Sequence, residues 1–348
     1  MPTPLKNPDA TLMHAEAAQA AEVIERQLST NNNLVAALGQ RLRSQPPPFV
    51  VTCARGSSDN AATFAKYAIE TQLGPVTASA SPSAVSIYGV TQPLKGALYI
   101  VISQSGESPD LVRSASSART AGALVIAITN VGDSALARAA EMIIPLHAGP
   151  EYSVAATKSF LASLAAVLHL VAHWKNDTAL LQALKGTPAA LRRAAALDWS
   201  SLVTGLKDAD HLFVLGRGLM LGAAQEAALK FKETCGLHAE AFSTAEVRHG
   251  PMALIGPEFP VLLFAQEDAT LPGALSAADE FRARGARVWT AAPGDSHPDT
   301  LPLASAPHPL CAPLLTVQSI YTAVNALSLA RGRDPDAPPY LHKVTETL

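Results

Sequence analysis

The stretch EAALKFKETCGLHAEAFSTAEVRHGP, residues 226–251, concentrates acids, bases and histidines. Glu226, Lys230 and Glu233 follow at spacings of four and three, which puts them on one face of a helix. A carboxylate beside an ammonium can move a proton while the positive charge steadies a neighbouring oxygen, as general acid–base catalysis requires. The same spacing also makes an exposed, salt-bridged helix face, and the three residues alone do not decide between the two. His249 precedes Gly250-Pro251, where no helix continues, so it projects from a loop, and loops at strand ends carry catalytic groups. His238-Ala239-Glu240 is a fragment of a metal motif without a second His or Cys at helical spacing. It reads as a core histidine, and no metal site is expected.

A second stretch, VISQSGESPD at 101–110, offers hydroxyls in place of titratable groups. A β-branched strand ends, and Ser103, Gln104, Ser105, Gly106, Glu107 and Ser108 follow without an apolar residue among them. Arg55-Gly56-Ser57-Ser58 has the same character after an earlier strand. Each run opens a helix, and a helix N-terminus presents unpaired N–H groups and partial positive charge to an anion. Capping would require one serine per helix, and several are present. The pattern therefore predicts a phosphate cradle. Neither GxGxxG nor GxxxxGK[ST] occurs at the first strands, so a dinucleotide or nucleoside triphosphate is not expected.

The elements that must hold these groups alternate. Strands are predicted at 49–53, 98–103, 125–129 and 142–145, and helices at 60–73, 110–121 and 157–174, after an opening helix over 10–29. Strict alternation means βαβ units and a parallel sheet covered on both faces. The second half repeats the plan: Gly56 and Ile102 recur as Gly218 and Phe264, each 162 residues later, and Gly122-Ala123 recurs as Gly285-Ala286 one residue further on. A duplicated α/β domain is predicted, with the boundary near 176–195. Where the first copy has Ser103-Gln104-Ser105-Gly106 the second has Ala265-Gln266-Glu267-Asp268, whose carboxylates would repel a phosphate.

Composition narrows the field. The 348 residues are 48% hydrophobic and 16% charged, enough for two cores and against disorder. A net charge of −3, with no Lys/Arg run, gives no electrostatic case for nucleic acid. Cys53, Cys235 and Cys311 are odd in number and far apart, and read as buried thiols in a reducing compartment. The N-terminus lacks a signal-peptide pattern, no run approaches ~20 apolar residues, and the most apolar helix, 159–174, is too short to span. A cytoplasmic protein without membrane contact is expected.

Five segments in order, RGSSDNA, ISQSGES, AGPEYSVAATKSF, LKFKETCGLHAEAF…EVRHGPMALI and the closing HKVTE, resemble the sugar isomerase (SIS) domain family. The resemblance is to the isomerase half of glucosamine-6-phosphate synthase and its free-standing relatives, and it runs from about Gly56 to the end of the chain. It implies an α/β fold of two tandem SIS domains, each a three-layer αβα sheet. The implied division is an N-terminal helical segment (1–30), a first SIS domain with the cradle (31–185), and a second with the acid–base residues and a closing tail (195–348). At matching positions it implies that Ser103, Gln104, Ser105 and Ser108, helped by Ser57 and Ser58, hold the phosphate and that Val154 lines the sugar. Glu233 would move the proton between carbons 1 and 2, with Lys230 assisting at the adjacent oxygens. His249 would open the ring from a partner subunit of a homodimer, and Lys343 would close over the substrate. Burial can lift a carboxylate toward neutral pKa, which suits a base.

Several positions depart from the synthases. Pro2 stands where their glutaminase nucleophile is a cysteine, so glutamine-driven synthesis is not expected. RGSSDN replaces a Gly-Thr-Ser loop, Arg248 a lysine and His342 an alanine. These features resemble the glucosamine-6-phosphate deaminases of this fold. The expectation is conversion of glucosamine 6-phosphate to fructose 6-phosphate and ammonia, with no cofactor. Fructosamine-6-phosphate deglycation, galactosamine-6-phosphate deamination and non-catalytic phosphosugar sensing are the alternatives.

Overall fold

A computed structural model describes residues 7–343. After α1 (Leu12–Ala18) and α2 (Ala20–Ser44) the first copy runs β1 (Val50–Cys53), α3 (Ser57–Leu73), β2 (Thr77–Ser79), α4 (Pro82–Ser86), β3 (Leu98–Ser103) and α5 (Pro109–Thr120). It continues through β4 (Leu124–Thr129), α6 (Ala135–Ala139), β5 (Met142–Pro145) and α7 (Lys158–Lys175). The stretch 176–195 folds as α8 (Thr178–Ala195). The second copy comprises α9 (Ser200–Leu206), β6 (His211–Leu215), α10 (Leu219–Cys235), β7 (His238–Phe242), β8 (Pro260–Phe264), α11 (Leu271–Ala283), β9 (Arg287–Ala291) and α12 (Ala312–Ala330).

Both sheets are wholly parallel, in the orders β2-β1-β3-β4-β5 and β7-β6-β8-β9. In each, the chain reverses direction across the sheet at the first strand, the switch point where open α/β sheets take ligands. The duplication holds residue by residue. Thr52 lies opposite Ile100 in one sheet and Val214 opposite Leu262 in the other, both partners 162 residues further on. The predicted extra residue before the third shared strand is present: Leu98 pairs with Leu124, and Pro260 with Arg287. Alternate side chains of β1, β3 and β4, from Val51 to Ala127, pack on Leu111, Ala115 and Ala118 of α5, while α3 and α7 pack together. In the second copy Phe213, Val261, Leu263 and Val288 pack on Ala274, Ala277 and Phe281 of α11. Helices flank each sheet in three layers, as predicted.

By chain contacts the molecule forms two compact units, one of residues 22–151, 158–185 and 342–343, the other of 7–21, 152–157 and 186–341. Three expectations need correction. The opening helix is not confined to 10–29: it breaks at Gln19 and restarts as a 25-residue helix, because the apolar stripe of Val23, Val35, Leu38 and Leu42 continues past residue 29. His238 is exposed, since it lies on an edge strand where Ala239 points inward and its neighbours outward. Among the described residues the helix apolar and long enough to cross a membrane is 309–330, not 159–174, and 83% of its apolar window is buried as core. It has two interior amides, Gln318 and Asn325, and the second is satisfied by Thr11 and the Pro8 carbonyl.

Candidate active site

The first copy's cradle is assembled at the carboxyl ends of β1 and β3. Gly56 closes the β1 loop with φ +56° and ψ −134°, a conformation open to glycine, and α3 starts directly behind it. Ser57 and Ser58 therefore occupy the first turn of α3. Neither α3 nor α5 has a side-chain hydrogen bond at its cap, so Ser108, at the cap of α5, leaves its hydroxyl uncommitted to that role. Arg55 donates from Nε and Nη2 to Asp110 Oδ2 at 2.9 and 2.8 Å, tying the β1 loop to the start of α5. Asp110 is buried, and sequence reading missed the pair; an Arg before the Gly-Ser-Ser loop and an Asp in the first turn of the other helix were its available signal.

The β3 loop folds on itself and on the loop after β4. Ser103 Oγ accepts the Gly106 N–H at 3.1 Å, and Ser105 Oγ accepts the Glu107 N–H at 3.3 Å. The Gln104 carbonyl accepts the Asn130 N–H, and Gly106, at φ +68°, has no room for a Cβ against Ser134. Glu107 is occupied with the Ala135 N–H at 3.1 Å. The carboxylates of this loop are thus engaged by the protein, while half-buried Ser105 and Ser108 stand beside the start of α5.

The AGPEYSVAATKSF segment is held at both of its parts. Asn130 clasps its start, donating to the Gly149 carbonyl and accepting the Ala148 N–H, both at 2.8 Å. Glu151, fully buried at its side chain, accepts from Ser159 Oγ at 2.6 Å and from the Ser159 N–H at 3.1 Å, which caps the first turn of α7. Lys343 Nζ reaches the same carboxylate at 2.9 Å. The predicted tail lysine is therefore docked on an acid that sequence reasoning did not single out. The other part, 152–157, is fixed by a buried acid of α1: Glu16 accepts the Tyr152 and Ser153 N–H groups at 2.5 and 3.1 Å. Half-buried Val154 donates its N–H to the Asp336 carbonyl at 3.3 Å. Glu16 was invisible in sequence because its partners are backbone groups more than 130 residues away.

The second copy supplies the titratable cluster. Lys230 is fully buried in α10, with Nζ 2.6 Å from Glu233 Oε2 and 3.3 Å from Glu226 Oε1. Glu226 is equally buried and accepts from Tyr321 Oη of α12 at 3.0 Å, while Glu233 is 21% exposed at the open end of the row. Burial, the largest influence on Lys230, works against its charge, but the Glu226 and Glu233 carboxylates and their hydrogen bonds outweigh it and hold the pKa above the ordinary lysine value. The salt-bridged surface face is excluded: this is an interior ion triad with one carboxylate reaching solvent. Such a group can pass a proton at Glu233 beside a fixed positive charge. His249 ends a short helical turn, Glu246–His249, is exposed, and has no hydrogen-bond or ion-pair partner among the described residues.

The profile of the SIS domain matches this chain twice, over residues 48–173 and 205–330. The chain belongs to the SIS domain family. A glutamine–fructose-6-phosphate aminotransferase (isomerizing) from Aeropyrum pernix is 40% identical over 266 residues, 70% of this chain and 42% of that one. The Zymomonas mobilis protein of the same name is 32% identical over 315 residues, 84% and 51% respectively. The chain spans about half the length of these curated relatives. Among solved structures, a Silicibacter pomeroyi protein provisionally described as a phosphosugar isomerase superposes with TM-score 0.90 at 42% identity, over 94% of this chain and all of that one. The C-terminal domain of the Francisella tularensis glucosamine-fructose-6-phosphate aminotransferase gives 0.85 at 25%, over 96% and 100%. Membership in this family covers both SIS copies.

Proposed function

We propose that this SIS-domain protein is a phosphosugar isomerase acting as a deaminase, converting glucosamine 6-phosphate to fructose 6-phosphate and ammonia. The observation that carries the reading is the buried Glu226–Lys230–Glu233 row. At the corresponding positions of the first copy stand Phe64, Ala68 and Thr71, so the fold itself has no need of the charges. A protein that only senses phosphosugars would share the cradle without the row.

In this reading Ser103, Gln104, Ser105 and Ser108, with Ser57 and Ser58, bind the phosphate, and Val154 lines the sugar. Once the ring is open, Glu233 takes the proton from carbon 2 and returns it to carbon 1, with Lys230 steadying the charge that develops on the adjacent oxygen. The product is a carbon 2 imine, and water releases ammonia from it to leave the ketose. Lys343 contributes a second ammonium from the tail. His249 opens the ring in a neighbouring subunit, which fits its exposure and that of Leu254, 65% exposed five residues on. Three buried free cysteines suit a reducing, cytoplasmic setting.

Purified protein given glucosamine 6-phosphate with a chelator should release ammonia. Release only from galactosamine or fructosamine 6-phosphate would move the assignment to those substrates, and binding of fructose 6-phosphate without any turnover would make it a sensor. The shared site is tested separately by mixing inactive His249→Ala with inactive Glu233→Gln protein. Random exchange in a two-fold dimer should restore about a quarter of the sites. No recovery after demonstrated exchange would place both residues in one subunit's site.

A further inference from the structure

We infer that the second copy holds a binding site of its own, for a small unphosphorylated amino sugar. A cavity of about 300 Å³ opens at the carboxyl ends of β8 and β9, the size at which small-molecule sites begin. Its lining includes Met220, Ala265, Gln266 and Glu267. These stand 162 residues after Ser58, Ser103, Gln104 and Ser105, so the cavity is the second copy's counterpart of the cradle. Duplication has kept the place and changed the chemistry.

Gln266 decides what the place can take. It is 2% exposed, and its Nε2 donates to Asp268 Oδ2 at 2.6 Å. A carboxylate only accepts, so the amide cannot be turned round, and Oε1 is left as the acceptor. That oxygen is buried and has no hydrogen-bond partner among the described residues. Buried acceptors in folded proteins are almost always satisfied, and because Gln266 lines the cavity a small turn of its side chain would offer this one to a ligand N–H or O–H. Asp268 is held by the Thr270 N–H and hydroxyl at 2.7 and 2.6 Å, which fixes the carboxylate that the amide pivots on.

The remaining walls complete the description. Glu267 is exposed and replaces Ser105, which bars a phosphate and favours an ammonium group. Met220, Leu303 and Leu315 give an apolar surface for the face of a ring. A ligand with hydroxyl donors, an ammonium, an apolar face and no anion is an amino sugar without its phosphate.

Binding is read from the methyl-labelled methionines of the full chain, using D-glucosamine as probe. The Met220 resonance should move saturably in wild-type protein. In Gln266→Leu and in Ala304→Phe, which fills the cavity from its rim, the dissociation constant should rise at least tenfold. The other methionine resonances report that both variants remain folded. In Ser105→Ala the Met220 response should be unchanged, which separates this site from the cradle. A Met220 resonance that does not respond, or responds equally in Gln266→Leu, overturns the inference. So does a stronger response to glucosamine 6-phosphate than to glucosamine.

Discussion

The two copies share one unusual loop and differ in nearly everything they hang from it. Gly56 and Gly218 both stand one residue before the long helix that follows the first strand, with φ, ψ of +56°, −134° and +60°, −126°. Behind the first, α3 begins Ser-Ser and buries Phe64 and Ala68; behind the second, α10 begins Leu-Met and buries Glu226 and Lys230 at the same two positions. The backbone geometry is therefore a property of the fold, and the side chains at fixed offsets from it are where function was written. One copy carries the donor-rich loops, the other the interior charges.

The difference can be broken most severely at Glu233. Glu233→Gln should lower kcat by about a thousandfold or more, the scale of a lost general base, while calorimetric affinity for fructose 6-phosphate stays within a few-fold. Substantial residual turnover would shift the base to Glu240 or Glu246. The next largest effect lies inside α10. Glu226→Leu removes the acceptor that Tyr321 donates to and one of the two carboxylates beside Lys230, and should cost about 3 kcal/mol in denaturant unfolding. The double variant Glu226→Phe with Lys230→Ala rewrites the second copy in the first copy's residues. It should recover most of that loss with no activity; if it is as unstable as the single variant, the two frames are not interchangeable.

A pH experiment separates the copies by stability. His169, buried in α7 against His173, with Arg43 and Asn32 beside that neighbour, has its pKa lowered to about 4, by burial first and by His173 second. The folded value lies below the unfolded one, so its contribution is complete above about pH 6.5 and is lost as pH falls toward 4. His169→Gln should remove on the order of 2–3 kcal/mol of acid sensitivity in that window. The corresponding helix of the second copy, α12, contains no histidine, and the effect should be confined to the first. The mildest test is Ser105→Ala, expected to raise KM about tenfold with kcat nearly unchanged, since a phosphate bound alike in ground and transition states affects binding alone.

Much of this architecture was legible in the sequence because it depends on periodicity. The strands at 98–103 and 142–145 and the 162-residue repeat needed only alternation and self-comparison. Lys230 and Glu233 were legible as neighbours from helical spacing, but their burial was not, because exposed and interior ion pairs share that spacing. Glu16, Asp110 and Glu151 were illegible for a different reason. Their partners are backbone N–H groups, an arginine 55 positions away or a lysine 192 positions away, and no local pattern records such meetings. His238 misled because an edge strand and a core strand carry the same residues until the sheet order is known.

The pairing of Thr11 with Asn325, across 314 positions, carries a consequence for how the chain is made. The segment around Thr11 is buttressed by a helix whose partner residue leaves the ribosome 314 positions later. At about 5–20 residues per second the wait is tens of seconds, during which the first copy has all of its strands available and the second lacks its central helix. Among the described residues the stretch most like a membrane span is thus synthesised when a completed sheet and α10 already stand ready to cover it. Truncation before α12 would leave those surfaces bare in a chain whose first copy is otherwise complete.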